Sequence, residues 1–278
     1  VEYVIKEAKK KNLLKDGMPI VEATSGNTGI SLAALGAYYK HPVIIFMPDW
    51  CSKERLQLMK AFGATVYLVS KKEGGFRRCI ENASFLASKI GGYRMNQFSN
   101  QDNELAHYYN TAQEIIRKVP EVTSFTSGIG TGGTLMGIAK RLKEYNKNIK
   151  IIALEPSKMA LLSGSKELKQ HKIEGIGDDF IPELVDTKVI DGVHVIDDMD
   201  AINMSRLLAK KLGLGVGISS GANFLSAIMI NRKMDGVCVT VFPDDNKKYL
   251  STELVDDVCN NQEFLSNQIE LLDYEIIL

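Results

Sequence analysis

Tryptophan occurs once in the 278 residues, and histidine and cysteine four times each. Cys51, Cys79, Cys238 and Cys259 show neither paired spacing nor metal-ligand spacing, which excludes a disulfide framework and a thiolate metal site. They read as free thiols of a reducing cytoplasm. Neither sign of charge is in excess. The 34 basic and 34 acidic side chains cancel to a formal net charge of zero, so nothing favours nucleic acid or an anionic membrane as a partner. Long apolar runs, a signal peptide, internal repeats and low-complexity tracts are all absent from the sequence. The composition of the whole chain, 45% hydrophobic and 24% charged, is the profile of a soluble globular protein of two domains or one large α/β unit.

What the sequence does hold is glycine in one place. Ser127-Gly128-Ile129-Gly130-Thr131-Gly132-Gly133-Thr134 follows a short β-branched run, Val122 to Thr126, and opens a helical segment, Leu135 to Tyr145. Four glycines in six positions let the backbone turn tightly and bring its N–H groups close to an anion. The helix N-terminus adds partial positive charge, and the threonine hydroxyls can donate as well. This is a phosphate cradle rather than a plain turn. Gly128-x-Gly130-x-x-Gly133 also fits a dinucleotide fingerprint, with Glu155 standing 22 positions on. That motif alone is weak, and a dehydrogenase remains open at this point.

A second unit of the same kind lies upstream. The strand Met18 to Ala23 leads through Thr24-Ser25-Gly26-Asn27-Thr28-Gly29 into an apolar helix, Ile30 to Tyr39. Six capping-type residues exceed what one helix cap needs, and a second anion site is expected there. Strands at Val43 to Met47 and Thr65 to Val69 alternate with helices at Ser52 to Phe62 and Gly75 to Ile90. Tyr93 to Phe98 then runs into Asn96-Gln97, and one helix is expected over Asn103 to Val119. Further on come a strand (Ile149 to Leu154), a long loop (Ser157 to Pro182), two helices (Ala201 to Leu212, Ser219 to Ile230) and a strand (Val237 to Phe242). Alternation of this kind predicts an α/β fold, two domains with twisted, mainly parallel sheets and ligands at the strand carboxyl ends. The polar stretch Ser99 to Asn103 divides them into 1–99 and 100–278.

Taken in order, the polar loops resemble the cysteine synthase and cystathionine β-synthase family, fold-type II pyridoxal-phosphate enzymes. The matching stretches are TSGNTG (24–29), NQF (96–98), SGIGTGGT (127–134), EGIGxxFIP (174–182), GISSGA (217–222) and PDDNKKYL (243–250). They span nearly the whole chain. The resemblance implies pyridoxal 5'-phosphate as cofactor, lying in the cleft between the domains, and a homodimer. It implies that Gly130, Thr131, Gly132, Gly133 and Thr134 hold the cofactor phosphate and that Asn27 bonds its phenolic oxygen. Thr24, Ser25, Thr28 and Gln97 would grip the α-carboxylate of an amino-acid substrate, and Gly175 and Ile176 would approach the substrate amine. His41, His107, His171 and His194 match no functional position and are assigned to structure.

The sequence departs from the family pattern in two respects. Nothing matches the N-x-x-x-S-x-K-D-R stretch that carries the Schiff-base lysine, and the chain opens at Val1 within a helical pattern. The lysine is therefore expected upstream of Val1, and without it the alternative is a non-catalytic amino-acid or cofactor-binding protein. The second departure is a pair of acids in loops that are usually neutral. Asp245 stands where the family places a serine against the pyridine nitrogen, and Asp178 lies between Gly177 and Asp179. A carboxylate at Asp178 could accept a proton from an attacking water. The expected reaction is β-elimination or β-replacement on cysteine-type amino acids, with cysteine and water giving serine and hydrogen sulfide. The alternative is cysteine synthesis from O-acetylserine and sulfide.

Overall fold

The computed structural model describes residues 1–256 and 261–277; Cys259 lies outside the described residues. The chain folds into two compact units, Val1–Ala106 and His107–Leu278. No helix among the described residues is long and apolar enough to cross a membrane.

In the first unit, four strands form a parallel sheet in the order β3-β2-β1-β4: β1 (Ile20–Ala23), β2 (Val43–Pro48), β3 (Thr65–Val69) and β4 (Tyr93–Arg94). Side chains alternate across a strand. Ile20, Val43 and Ile45 therefore pack with Val4, Ile5 and Ala8 of α1 (Glu2–Lys10), Leu32 and Ala33 of α2 (Asn27–Tyr39), and Met59 of α3 (Lys53–Ala61). Val21, Ala23 and Phe46 pack on the other face with Cys79, Ala83 and Ala87 of α4 (Gly75–Ile90). Coverage on both faces is why these strands read as unbroken apolar runs. β4 ends at Arg94, within the stretch Tyr93 to Phe98, and Asn96 follows with a left-handed φ of 59°. A short helix, α5 (Gln101–Ala106), closes the unit.

The second unit repeats the plan with the order β7-β6-β5-β8: β5 (Val122–Gly128), β6 (Lys150–Pro156), β7 (Gly192–Ile196) and β8 (Val237–Thr240), all parallel. α6 (Ala112–Lys118) and α7 (Gly133–Tyr145) cover Phe125, Ile151 and Ala153. α8 (Asp198–Leu212) and α9 (Ile218–Asn231) pack with Leu154 and Ile196. The sequence pattern suggested one helix over 103–119, but a five-residue π-helical turn, His107–Thr111, separates α5 from α6. β7 is a strand that the sequence pattern did not announce.

Both strand orders reverse direction once. The chain leaves β1 toward β2 and β3, then returns to place β4 on the other side of β1; β5 stands in the same relation to β6, β7 and β8. Ligands of open α/β sheets bind at the carboxyl ends of strands at such switch points. The loops that follow β1 and β4, and those that follow β5 and β8, contain the polar motifs.

Candidate active site

The glycine-rich turn leaves β5 at Gly128 and enters α7 at Gly133. Gly132 caps the helix with φ 87° and, as a glycine, offers the helix N-terminus no side chain of its own. The glycines are required by their neighbours. A Cβ at Gly130 would run into the carbonyl oxygen of Gly175, and one at Gly132 would lie 2.7 Å from Val185 Cγ2. Asn223 of α9 fixes the entry to the turn: its Oδ1 accepts the Gly128 N–H at 2.9 Å and its Nδ2 donates to the Val241 carbonyl at 2.8 Å. On the far side, the Thr134 hydroxyl lies 3.2 Å from His107 Nε2, while His107 Nδ1 lies 3.0 Å from Thr111 Oγ1. Burial pulls the His107 pKa down to about 4, so the ring is neutral at physiological pH. Within the turn, the Gly133 N–H reaches Thr131 Oγ1 at 3.3 Å.

The segment 174–178 lies against this turn. The Gly177 N–H donates to the Ile129 carbonyl at 2.9 Å, and Ile176 covers Gly128. Asp178, next in the chain, lines a cavity with Gly130, Gly177 and Glu155 and a largely apolar wall that includes Met159, Leu162, Phe180 and Ile181. Burial, with a smaller contribution from Asp179, pushes the Asp178 carboxyl up to about 7. It can therefore both take and release a proton near neutrality. Glu155 does other work: its two carboxylate oxygens accept the N–H groups of Leu162 and Ser163, each at 2.8 Å, tying down the loop over the cavity. Those bonds commit the acid that the dinucleotide reading needed for a ribose.

In the first unit, Thr24 is buried after β1, and its Oγ1 accepts the Gly26 N–H at 3.1 Å; Asn27 and Thr28 form the first turn of α2. Gln97, also buried, donates from Nε2 to the Ala23 carbonyl at 2.7 Å. The structure thus brings Gln97 to the base of the Thr24 loop from 73 residues away in sequence (97 − 24). Beneath them Glu22 pairs with Arg94 and accepts the Ala23 N–H at 2.7 Å. Burial raises the Glu22 pKa against the pull of Arg94.

Sequence reasoning passed over Arg55. It is fully buried on α3, its Nη1 points to the Ser25 carbonyl at 3.4 Å, and its side chain occupies the space a Cβ at Gly26 would need. A buried arginine beside a loop of hydroxyls and helix N–H groups strengthens that loop's preference for an anion. Its only signal was a basic residue within the helix expected over Ser52 to Phe62.

The two acids after β8 differ. Asp245 is exposed, and its Oδ1 accepts the Lys247 N–H at 3.0 Å as the cap of a short 3-10 turn, Asn246–Tyr249. Asp244 is the buried one, and its Oδ2 accepts the Tyr249 hydroxyl at 2.8 Å.

Comparison with known proteins supplies the family. A model of pyridoxal-phosphate dependent enzymes matches residues 1–244. The chain belongs to that family. It is 41% identical over 254 residues to cysteine synthase B of Campylobacter jejuni, covering 90% of this chain and 84% of the relative. A crystal structure of a hydrogen sulfide-producing enzyme from Fusobacterium nucleatum superposes with a TM-score of 0.91 at 51% identity, covering 95% of this chain and 81% of that one. A mutant form of the hydrogen sulfide-producing enzyme, complexed with an α-aminoacrylate intermediate, gives a TM-score of 0.93 at the same identity and coverage.

As a pyridoxal-phosphate enzyme, the chain has a cofactor with a phosphate to hold, and the turn before α7 suits one. It combines a helix N-terminus capped by a glycine, glycines pressed so closely against 175 and 185 that no side chain could enter, and a threonine hydroxyl braced by a neutral histidine. Membership of this family sets aside both the dehydrogenase and the non-catalytic binding protein.

Proposed function

We propose that the protein carries out pyridoxal-phosphate-dependent β-replacement on cysteine, adding water and releasing hydrogen sulfide to give serine. The observation that carries this reading is Asp178: a carboxyl in a cavity with a largely apolar wall, one residue from the peptide that bonds to the glycine-rich turn, its pKa pushed up to about 7 by burial. The 51% identity to a hydrogen sulfide-producing enzyme supports it.

The cofactor, when bound, supplies an electron sink for bond breaking at the α- and β-carbons. Gly130, Thr131, Gly132, Gly133 and Thr134 bind its phosphate, and Asn27 its phenolic oxygen. Thr24, Ser25, Thr28 and Gln97 bind the substrate carboxylate, with Arg55 beneath the loop as a fixed positive charge. Gly175 and Ile176 place backbone beside the substrate amine. Asp245, exposed and capping the Lys247 N–H, would be the residue set against the pyridine nitrogen.

Asp178 accepts a proton from the attacking water at its carboxylate. Help of this kind is typically worth ~10²–10⁴-fold. The C–S bond of cysteine gives way to a C–O bond, and the proton taken from water balances the one that leaves with hydrogen sulfide. A carboxylate in the same place repels an incoming hydrosulfide anion and so disfavours cysteine synthesis. The protein is proposed to work as a homodimer in the cytoplasm.

Product analysis of the full-length holoenzyme is the test. Cysteine alone should yield serine and hydrogen sulfide in equal amounts, with little pyruvate. Rapid turnover of O-acetylserine with sulfide, and no serine from cysteine, would instead make the protein a cysteine synthase.

A further inference from the structure

We propose that His171 is a positioning residue that aims the Asp178 carboxylate by donating its Nε2–H to the Gly177 carbonyl. The inference rests on the reading of Asp178 as the base for water. The Gly177 carbonyl oxygen lies 2.7 Å from His171 Nε2, and the Gly177 N–H lies 2.9 Å from the Ile129 carbonyl. One peptide unit on each side of Gly177 is thereby fixed, one to the glycine-rich turn and one to the imidazole. Asp178 hangs directly from the second of them.

The local backbone leaves little other freedom. Gly177 has φ 71°, and a Cβ there would meet Pro156 Cδ at 2.7 Å and His171 Nε2 at 3.1 Å. The hinge is thus a glycine in the left-handed region, wedged between a proline ring and the histidine. Without the bond to His171, the polar anchor left to this glycine among the described residues is its N–H, and the carbonyl side could rotate and carry Asp178 with it.

The bond also fixes the tautomer. A carbonyl oxygen only accepts, so Nε2 carries the proton, and Nδ1, buried and without a partner among the described residues, carries the lone pair. Burial holds the ring's pKa below its ordinary value. The charged groups that bear on it are Lys158, which lowers the pKa, and Asp198, which raises it; these two are paired with each other at 2.8 Å. A neutral donor aims Asp178 without placing a full positive charge beside it. The sequence offered His171 only as a structural residue six positions before the hinge.

The test uses full-length holoenzyme with cysteine as the only substrate and reads the ratio of serine to pyruvate. His171→Ala and His171→Phe, which lack the donor, should lower that ratio by on the order of tenfold or more, because small misplacements of a reacting group carry penalties of that size. His171→Gln, whose Nε2 can reach the same carbonyl, should keep the ratio within about threefold of wild type, in line with the donor being what counts. Histidine 15N NMR of the unmodified protein should show a neutral ring protonated at Nε2 at pH 7, a result that needs no variant to fold. An unchanged ratio in His171→Ala and His171→Phe, a His171→Gln as impaired as His171→Ala, or a ring protonated at Nδ1 would each overturn the proposal. Wild type that makes no serine at all would instead overturn the reading of Asp178 on which it stands.

Discussion

Asn223 accepts the Gly128 N–H at 2.9 Å with one end of its amide and donates to the Val241 carbonyl at 2.8 Å with the other. A single buried side chain on α9 thus staples together the ends of β5 and β8, the two strands that flank the switch point of the second sheet. The glycine-rich turn starts from one of these strands and the Asp244 loop from the other, so their spacing is set before any ligand arrives.

Asn223→Ala should therefore act on the turn as well as on stability. Two part-buried hydrogen bonds are lost, at about 1–3 kcal/mol for each backbone group left unsatisfied. Urea denaturation should show that loss, and cofactor titration should show weaker binding in the folded variant. Full stability with unaltered cofactor affinity would mean that the turn holds its own shape.

Gly132→Val tests the cradle directly. Valine is strained at φ 87° and would place its Cβ about 2.7 Å from Val185, so the turn must shift and the phosphate site with it. Purified variant should lose bound pyridoxal phosphate, measured by its absorbance after dialysis. Retention of a full complement would remove the turn from the cofactor site.

Thr24→Ala and Gln97→Ala address the substrate loop. Each removes a polar group at the end of β1, and each should weaken amino-acid binding by ~1–3 kcal/mol, the range for hydrogen bonds to a charged group. Cofactor content should be unchanged. Arg55→Met should raise KM in the same way through lost positive charge, although it also opens a buried site and needs a parallel stability measurement. Substrate affinities that match wild type in all three would place the carboxylate elsewhere.

Asp245→Ser separates two roles. Serine preserves the cap on the Lys247 N–H while removing the charge. If Asp245 faces the pyridine nitrogen, the variant should retain stability and lose activity, read as kcat against Tm. Identical rates would leave Asp245 as a cap and nothing more.

The elements that the sequence announced are those whose residues carry their own local reason. Glycines at 130 and 132 are needed because neighbouring backbone and side chains leave no room for a Cβ, and the hydroxyls of 24–28 mark a helix start by their chemistry. Strands buried on both faces, such as Ile20–Ala23, appear as apolar runs. What went unread depends on partners distant in sequence. β7 is half-exposed at a sheet edge, so Gly192–Ile196 lacks the continuous burial that would have marked it. The π-helical turn at His107 is visible only once Thr134 is beside it. Arg55 and Asn223 sit in ordinary helices and take their meaning from Ser25 and Gly128. Asp244 and Asp245 are chemically identical neighbours, and only the fold decides that the first turns inward to Tyr249.

The last prediction follows from the raised pKa of Asp178. An ordinary value of 3.8 moved to about 7 means that the folded protein holds this proton more tightly than the unfolded chain does. Stability from this group is therefore fully present below the ordinary value and is lost as pH rises through about 7, because the unfolded state then binds fewer protons than the folded one. Asp178→Asn cannot ionise and avoids that loss. Its melting temperature relative to wild type should climb from about pH 4 to about pH 7, between the ordinary and the raised value, and level off above. Serine formation by wild type should follow the opposite logic, rising with pH through about 7 as the carboxylate becomes free to accept a proton, while Asp178→Asn should make little serine at any pH. A melting difference that does not vary with pH would show that Asp178 is ionised throughout. It would then be a solvated loop acid, unsuited to activating water.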